Sequence, residues 1–407
     1  MAGAGLSHDA HILLTEGFVL PVGVLFARGI ASGGKRLEIP VSDGERIYSA
    51  VSRGFSSVKV PRIYRVRTSS GRELAFSGGK LIVKKGSKIS LVEPGRLRPG
   101  MHVYVASRID LPVREGPLVT EWPPWTVLAG GELLTEFRRR LDFLRRRNGL
   151  RPVADQLGMS VSALYNYLSG RRNPPMSVVQ RILESSQFRD ARSFVVKGGL
   201  RERPVELPNR MNPILAEFLG IFSVQGAISE GGVSIVIPTV KIERRISILL
   251  LGAFGPDLDV RKDPKGSILY IRSRSLAAYL SRIFAGQRIP PSIFTSDDRV
   301  MEYFMKGFFM AMAENGLLTR TGVLVPDRSL LEQLVYLALV IGMKFRVRRR
   351  EGGYRVEFGT AAEGEVRSER VVDVSVEDGP FLVQRPLVED MADMAVVAGT
   401  GGVIVFL

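Results

Sequence analysis

Apolar residues recur along this chain with two different periods, and the switches between them mark its regions. Through the first 111 residues, short runs alternate apolar and polar positions and break at Gly or Ser-Gly, as half-buried strands and tight turns do. Residues 59–85 read as two strands joined at Ser70-Gly71 with a third behind them. A Pro- and Gly-rich stretch over 113–131 reads as a linker. At 132–147 the period becomes helical, with Leu133, Phe137, Leu141 and Leu144 on one face. A short helix follows at 151–158, with Pro152 near its start and Gly158 at its end. Ser160 is a candidate N-cap for a third helix at 161–170, which Gly170 and the following prolines stop. After a basic connector at 189–208, one plan occurs twice, about 90 residues apart. The apolar helix LAEFLGIFSVQG at 215–226 is followed by hairpin, helix, hairpin and helix, and FMKGFFMAMAENG at 304–316 by hairpin, helix and hairpin. Residues 361–407 return to strand alternation.

At 407 residues the chain is long enough for two or three domains with their own cores. With no cysteine, disulfides, thiolate metal sites and cysteine nucleophiles are excluded. His8, His11 and His102 are too few and too scattered for a metal site, so no metal and no cofactor is expected. A leader-like N-terminus and a run of eighteen apolar residues are both missing, so the expectation is a soluble, membrane-free cytoplasmic protein, with nucleoid association open. The formal charge is +16 and unevenly spread. Residues 1–111 carry 17 Lys+Arg against 8 Asp+Glu, 132–186 carry 10 against 5, and 209–359 carry 21 against 14. Residues 360–407 reverse the sign, 3 against 9, and read as an acidic tail able to cover the basic body or a basic partner. A basic body with pI near 10.3 points to a polyanion partner. Arg outnumbers Lys 45 to 12, which suits bidentate contacts and equally a GC-rich genome or a thermophile.

The 132–188 segment resembles the helix-turn-helix of phage-repressor-type regulators, carried by Ala154, Leu157, Gly158, Leu164, Leu168 and GRRNPP. Leu157 and Leu164 are expected to face inward. The resemblance implies that the helix at 161–170 enters a DNA major groove, leaving Ser162, Ala163, Tyr165 and Asn166 near base edges. Asn166 offers a donor and an acceptor together, the pair that adenine presents, while Arg171 and Arg172 are candidates for the phosphate backbone. A helical hairpin for protein contacts is the structural alternative. The clusters Arg138–Arg140 and Arg145–Arg147 suit nucleic acid, or a solvated helix face.

The two repeated helices resemble those of the LAGLIDADG homing endonucleases, including the ones carried within inteins. That resemblance implies two αββαββα repeats over 209–360 and a DNA-binding saddle. Each helix of the family ends in an acid that holds catalytic metal. Five residues beyond Gly220 and Gly307 stand Gln225 and Met312, neither an anionic ligand. Glu314 is the one acid near the second helix end. Gly220 and Gly307 also have a packing reason, close approach of the paired helices. Lys262, Lys265, Arg272, Arg274, Arg349 and Arg355 are strand-borne candidates for a groove, and alternation places Arg346, Arg348 and Arg350 on one face.

The outer β-rich region resembles the splicing (Hint) fold of inteins: RLRPGMHVYVASRIDLP at 96–112 matches the segment closing its N-terminal half, and RVVDVSVEDGPFLVQRPLVED at 370–390 its C-terminal half. In GRELAFSGGKLIV, Ser77 stands for the family's threonine and Lys80 for its catalytic histidine. Met1 stands where the family has Cys or Ser, and Val388 and Glu389 where it has His-Asn. The expectation is a multidomain α+β protein: a Hint-like domain (1–112 and 361–407) split by the helix-turn-helix and the two-repeat LAGLIDADG-like domain. It binds nucleic acid, DNA rather than RNA, as monomer or homodimer, and neither splices nor cuts. The alternatives are an RNA- or ribosome-binding factor, a residual nuclease using Glu314, and an assembly factor.

Overall fold

The computed structural model describes residues 4–31, 36–86, 88–183, 185–199, 202–319, 322–361, 364–388 and 395–407. Met1, Glu389 and Asp390, used in the splicing comparison, lie outside the described residues. The chain divides into two compact units: residues 1–113 with 287–295 and 316–407, and residues 114–286 with 296–315.

The first unit is built on a ten-stranded sheet. Its spine is two long antiparallel strands, Ile47–Thr68 and Val366–Val388, paired from Thr68↔Val371 to Ser52↔Val388. Strands about four times the usual length bend only with help, and register shifts interrupt this pair at three places. Leu6, Ile12, Ile39, Phe76, Leu81, Val103, Val105, Val371 and Val405 fill the core. Strands from both ends of the sequence thus complete one sheet.

The charge reversal in the last fifty residues has its explanation in this pairing. Arg67 faces Asp373 at 4.0 Å, Arg65 faces Glu377 at 3.1 Å and Arg62 faces Asp378 at 2.6 Å. Such exposed pairs add little stability, but opposite charges across a ladder favour this register over a slipped one. The described part of the acidic segment is sheet: Ala395–Ala398 and Val403–Phe406 are strands of the same sheet as Val366–Val388, and every residue from 395 to 405 is buried.

Residues 316–361 cluster with this unit and residues 209–286 with the other. The first of these segments forms a four-stranded sheet (Leu318–Thr319, Gly322–Val325, Gly353–Ala361, Met343–Arg350) backed by helix Arg328–Val340. That helix is buried at every position from Leu330 to Val340, so one sheet cannot cover it. The Tyr336 hydroxyl sits 3.0 Å from the carbonyls of His11 and Gly399, and the Ile109 N–H donates to the Leu339 carbonyl. The Val347 N–H donates to the Ser70 carbonyl at 2.6 Å, and Gly71, at φ 83°, leaves no room for a Cβ against the Val347 carbonyl.

In the second unit the end of the expected linker and two parts of the expected connector are paired strands. Val127–Gly130, Ser193–Lys197 and Val205–Pro208 form a three-stranded sheet, with Phe194, Val196, Val205 and Leu207 buried by plain alternation. Helix Pro213–Gln225 begins at an Asn212 cap with Pro213 in its first turn, and helix Asp298–Glu314 at an Asp297 cap. The two helices cross with backbones touching. A Cβ at Gly220 would meet the Phe304 carbonyl oxygen at 2.1 Å, and one at Gly307 the Glu217 carbonyl oxygen at 2.1 Å. The sheet after the first helix (Gly226–Ser229, Gly232–Val236, Ile268–Ile271, Val260–Lys262) has strand order 1-2-4-3, the same as the sheet at 318–361.

Candidate nucleic-acid interface

Four helices make the helical region: Gly131–Asn148, Leu150–Leu157, Val161–Leu168 and Met176–Ile182. The turn between the second and third is fixed locally. Gly158 adopts the left-handed conformation at φ 64°, its N–H bonds to Asp155 and the Met159 N–H returns to the Ala154 carbonyl. Arg181 closes the same helix end by donating to the Leu157 and Gln156 carbonyls at 2.7 and 2.9 Å. The Ser160 hydroxyl then accepts the Ala163 N–H, starting the third helix as its sequence suggests.

Inward from that helix, Leu164 is fully buried beside Ala154, Leu157 and Phe137 in the helical core. Tyr167 is buried too, and desolvation raises its pKa. It is the core position that sequence reading passed over, although it stands one helical turn after Leu164. Outward, Ser162, Tyr165, Arg171 and Arg172 are exposed, while Ala163 and Asn166 are half-buried. The Arg171 guanidinium lies 5.9 Å from the centre of the Tyr165 ring, a cation–π contact that ties the helix face to the basic turn. The Asn166 side chain makes no hydrogen bond among the described residues and keeps both amide functions available. Two of the arginine clusters read differently. Arg139 pairs with Glu136, and Arg145 and Arg146 both pair with Asp142, so much of that charge is answered along its own helix.

The two long-helix ends carry no metal-binding geometry among the described residues. Gln225 is buried with neither amide atom hydrogen-bonded, and Met312 is fully buried. Glu314 accepts from the Thr239 hydroxyl at 2.8 Å and lies 3.4 Å from the Lys241 ammonium. A side-chain cation therefore already sits on the one carboxylate available. Another acid, unforeseen from sequence, holds the helix pair: buried Glu217 makes a two-pronged ion pair with Arg245 and lies 3.5 Å from Lys306. The Arg245 pKa is raised chiefly by that hydrogen bond.

On the 318–361 sheet, Arg346, Arg348 and Arg350 are exposed and alternate with buried Phe345 and Val347, as expected. Cross-strand pairing adds Arg355 opposite Arg348 on the same face, and Glu357 opposite Arg346. Among the described residues Arg348 lies 3.7 Å from Glu357, while Arg346, Arg350 and Arg355 have no ion-pair partner. Two other candidates read as strand-borne are occupied: Lys262 ends strand Val260–Lys262 and pairs with Glu243, whereas Arg274 instead begins helix Arg274–Phe284 and stacks on Trp125 at 4.7 Å. Of the splicing positions, Ser77 is buried where Gly5–Ser7 pairs with Glu73–Ser77, whereas Lys80 is exposed beyond the Gly78-Gly79 turn.

Residues 143–185 match the helix-turn-helix family. No curated protein matches the chain. Among solved structures the chain is similar to the TvoVMA intein, at 18% identity over 26% of this chain and 71% of that one, with TM-score 0.25. It is similar to the transcription factor IIB Mvu mini-intein at 13% identity over 26% and 70%, TM-score 0.24. A DnaB intein from Synechocystis sp. PCC 6803 is similar at 17% identity over 25% and 69%, TM-score 0.22.

Proposed function

We propose that this protein is a domesticated intein-like chain that binds DNA in a sequence-specific way, as a transcriptional or genome-associated regulator, without splicing or cutting. The observation that carries the reading is the third helix of the helix-turn-helix. Ser160 caps its start, Leu164 and Tyr167 fix its rotation, and Ser162, Tyr165 and Asn166 face away from the core. Arg171 and Arg172 follow at its end, placed to hold phosphates while Asn166 reads a base edge.

Two further features support a binding role without nuclease chemistry. Hydrolysis through paired metals needs two hard anionic ligands, and the matching positions are Gln225 and Met312. Glu314 is neutralised by Lys241. The arginine face of the 318–361 sheet supplies additional phosphate contacts in this reading, and the LAGLIDADG-like repeat serves as scaffold. Loss of splicing is read from Ser77 and Lys80 in place of the family's threonine and histidine.

Selection from a randomised duplex library tests the proposal. The expected outcome is an enriched motif for the wild type, a relaxed motif for Asn166→Ala, and an unchanged motif with uniformly weaker binding for Arg171→Ala. Equal losses on all sequences for both variants would exclude the third helix as the recognition element. Mg²⁺-dependent cleavage of any library member would overturn the non-nuclease part.

A further inference from the structure

A cavity of about 590 Å³ opens in the first unit where strands Met343–Arg350 and Gly353–Ala361 meet strand Val366–Val388. Four cations line it: Lys344, Arg346, Arg367 and Arg370. Two acids, Glu357 and Glu369, line it as well; Glu369 is shared between Arg72 and the lining Arg367, and Glu357 is held by Arg348. Glu369 is buried, lies 3.3 Å from the buried Arg72, and accepts from Thr68 and Ser70, while Glu357 pairs with Arg348. Lys344, Arg346 and Arg370 have no ion-pair partner among the described residues. Arg367 gives one amino group to Glu369 at 2.5 Å, and its Nε is buried without a hydrogen-bond partner.

The walls are rigid. Val347 is tied to Ser70, Gly71 packs on the Val347 carbonyl, and Arg72 lies over the Phe345 ring at 4.6 Å. A fixed cavity with three cations that lack an ion-pair partner among the described residues is suited to a compact, multiply charged anion with several acceptor oxygens. Its volume lies within the range of small-molecule sites.

We infer that this cavity is a phosphate-binding site for a nucleotide or for the phosphodiester backbone, separate from the helix-turn-helix. Arg346 and Arg370 grip the phosphate oxygens, and Lys344 adds charge. The site does not depend on the recognition-helix reading.

Calorimetric titration of the full chain with pyrophosphate, a nucleoside triphosphate and a short DNA duplex tests it. Saturable pyrophosphate binding is expected, weakened about tenfold or more by Arg370→Glu and by Arg346→Glu, each an exposed position. Lys85→Glu, equally exposed in strand Lys80–Lys85 and away from the cavity lining, should leave binding unchanged. Triphosphate binding undisturbed by duplex would assign a nucleotide as ligand, and displacement by duplex would assign the backbone. Absence of saturable pyrophosphate binding, or equal weakening by Lys85→Glu, would overturn the site. Asn166→Ala should not change pyrophosphate affinity, so failure here and failure of the recognition helix are told apart.

Discussion

The two helix-and-sheet repeats share a strand order and a helix–hairpin–helix plan, yet they differ in their outer faces and in their second helices. In the first repeat the outer row of the sheet is Ala227, Ser234, Tyr270 and Arg261, and Arg261 is held by Asp259 at 3.1 Å. In the second, the same kind of face presents Arg346, Arg348, Arg350 and Arg355 against a single acid. The helices contrast as well. Val240–Phe254 is amphipathic and exposes Ile248 and Leu251, whereas Arg328–Val340 is buried on every side and carries Glu332 into the core. What the repeats keep alike is the glycine crossing of their first helices. Backbone packing constrains the sequence there, while surface charge and helix environment have been free to specialise.

Damage should be greatest where the repeats agree. Gly220→Ala and Gly307→Ala each force a methyl group into a backbone carbonyl, and overpacking of this kind costs about 1–3 kcal/mol or more. Both should lower the thermal midpoint by similar amounts. A neutral result at either glycine would show that the crossing is looser than described.

The second effect belongs to the buried helix alone. Burial raises the Glu332 pKa to about 7 from 4.5, and the Arg328 and Thr400 contacts only partly offset it. Between those values the folded state keeps a proton that the unfolded chain releases, so this group's contribution to stability falls as pH rises. His11, 3.7 Å away, is lowered to about 4 by desolvation and acts in reverse, since the unfolded chain takes up a proton below 6.5. Glu332→Gln should remove the first slope and keep the second. Its stability relative to wild type should then climb by roughly 3 kcal/mol from pH 4.5 to 7, measured by denaturant unfolding. A constant difference across that range would contradict the assignment.

The contrast between the sheet faces has smaller consequences. Replacing Arg350 and Arg355 with Ala should flatten the salt dependence of duplex binding by about one unit of slope for each phosphate no longer neutralised. Arg261→Ala, whose charge is already answered by Asp259, should leave the slope unchanged. Least of all, Asp378→Ala should leave the thermal midpoint nearly unchanged, because its pair with Arg62 is exposed on both sides.

Local chemistry made much of this fold legible in sequence, and long-range chemistry hid the rest. The helix-turn-helix could be read because Gly158, Ser160 and Gly170 act within a few residues of their own positions. The glycine crossing could be read because only small residues permit it. The fate of residues 316–361 could not, since the all-round apolarity of Arg328–Val340 says that a second cover exists without saying which. The acidic end was read as a tail because its counter-charges, Arg62, Arg65 and Arg67, lie more than 300 residues away. Phe194, Val196, Val205 and Leu207 did carry an alternating signal, but their short strands sat among basic and Gly-rich residues typical of connectors. Among candidate site residues, Arg346, Arg348 and Arg350 were visible by alternation. Lys344, Arg367 and Arg370 were not, because strands distant in sequence bring them to one cavity.

Sequence-specific DNA binding can be tested in the native cells, by crosslinking the protein to nucleic acid and sequencing what is bound. Discrete duplex DNA sites sharing a motif are expected with the wild-type protein and should disappear with Asn166→Ala. Recovery of structured RNA, or of DNA with no shared motif and no sensitivity to Asn166, would contradict a DNA-reading role for the third helix.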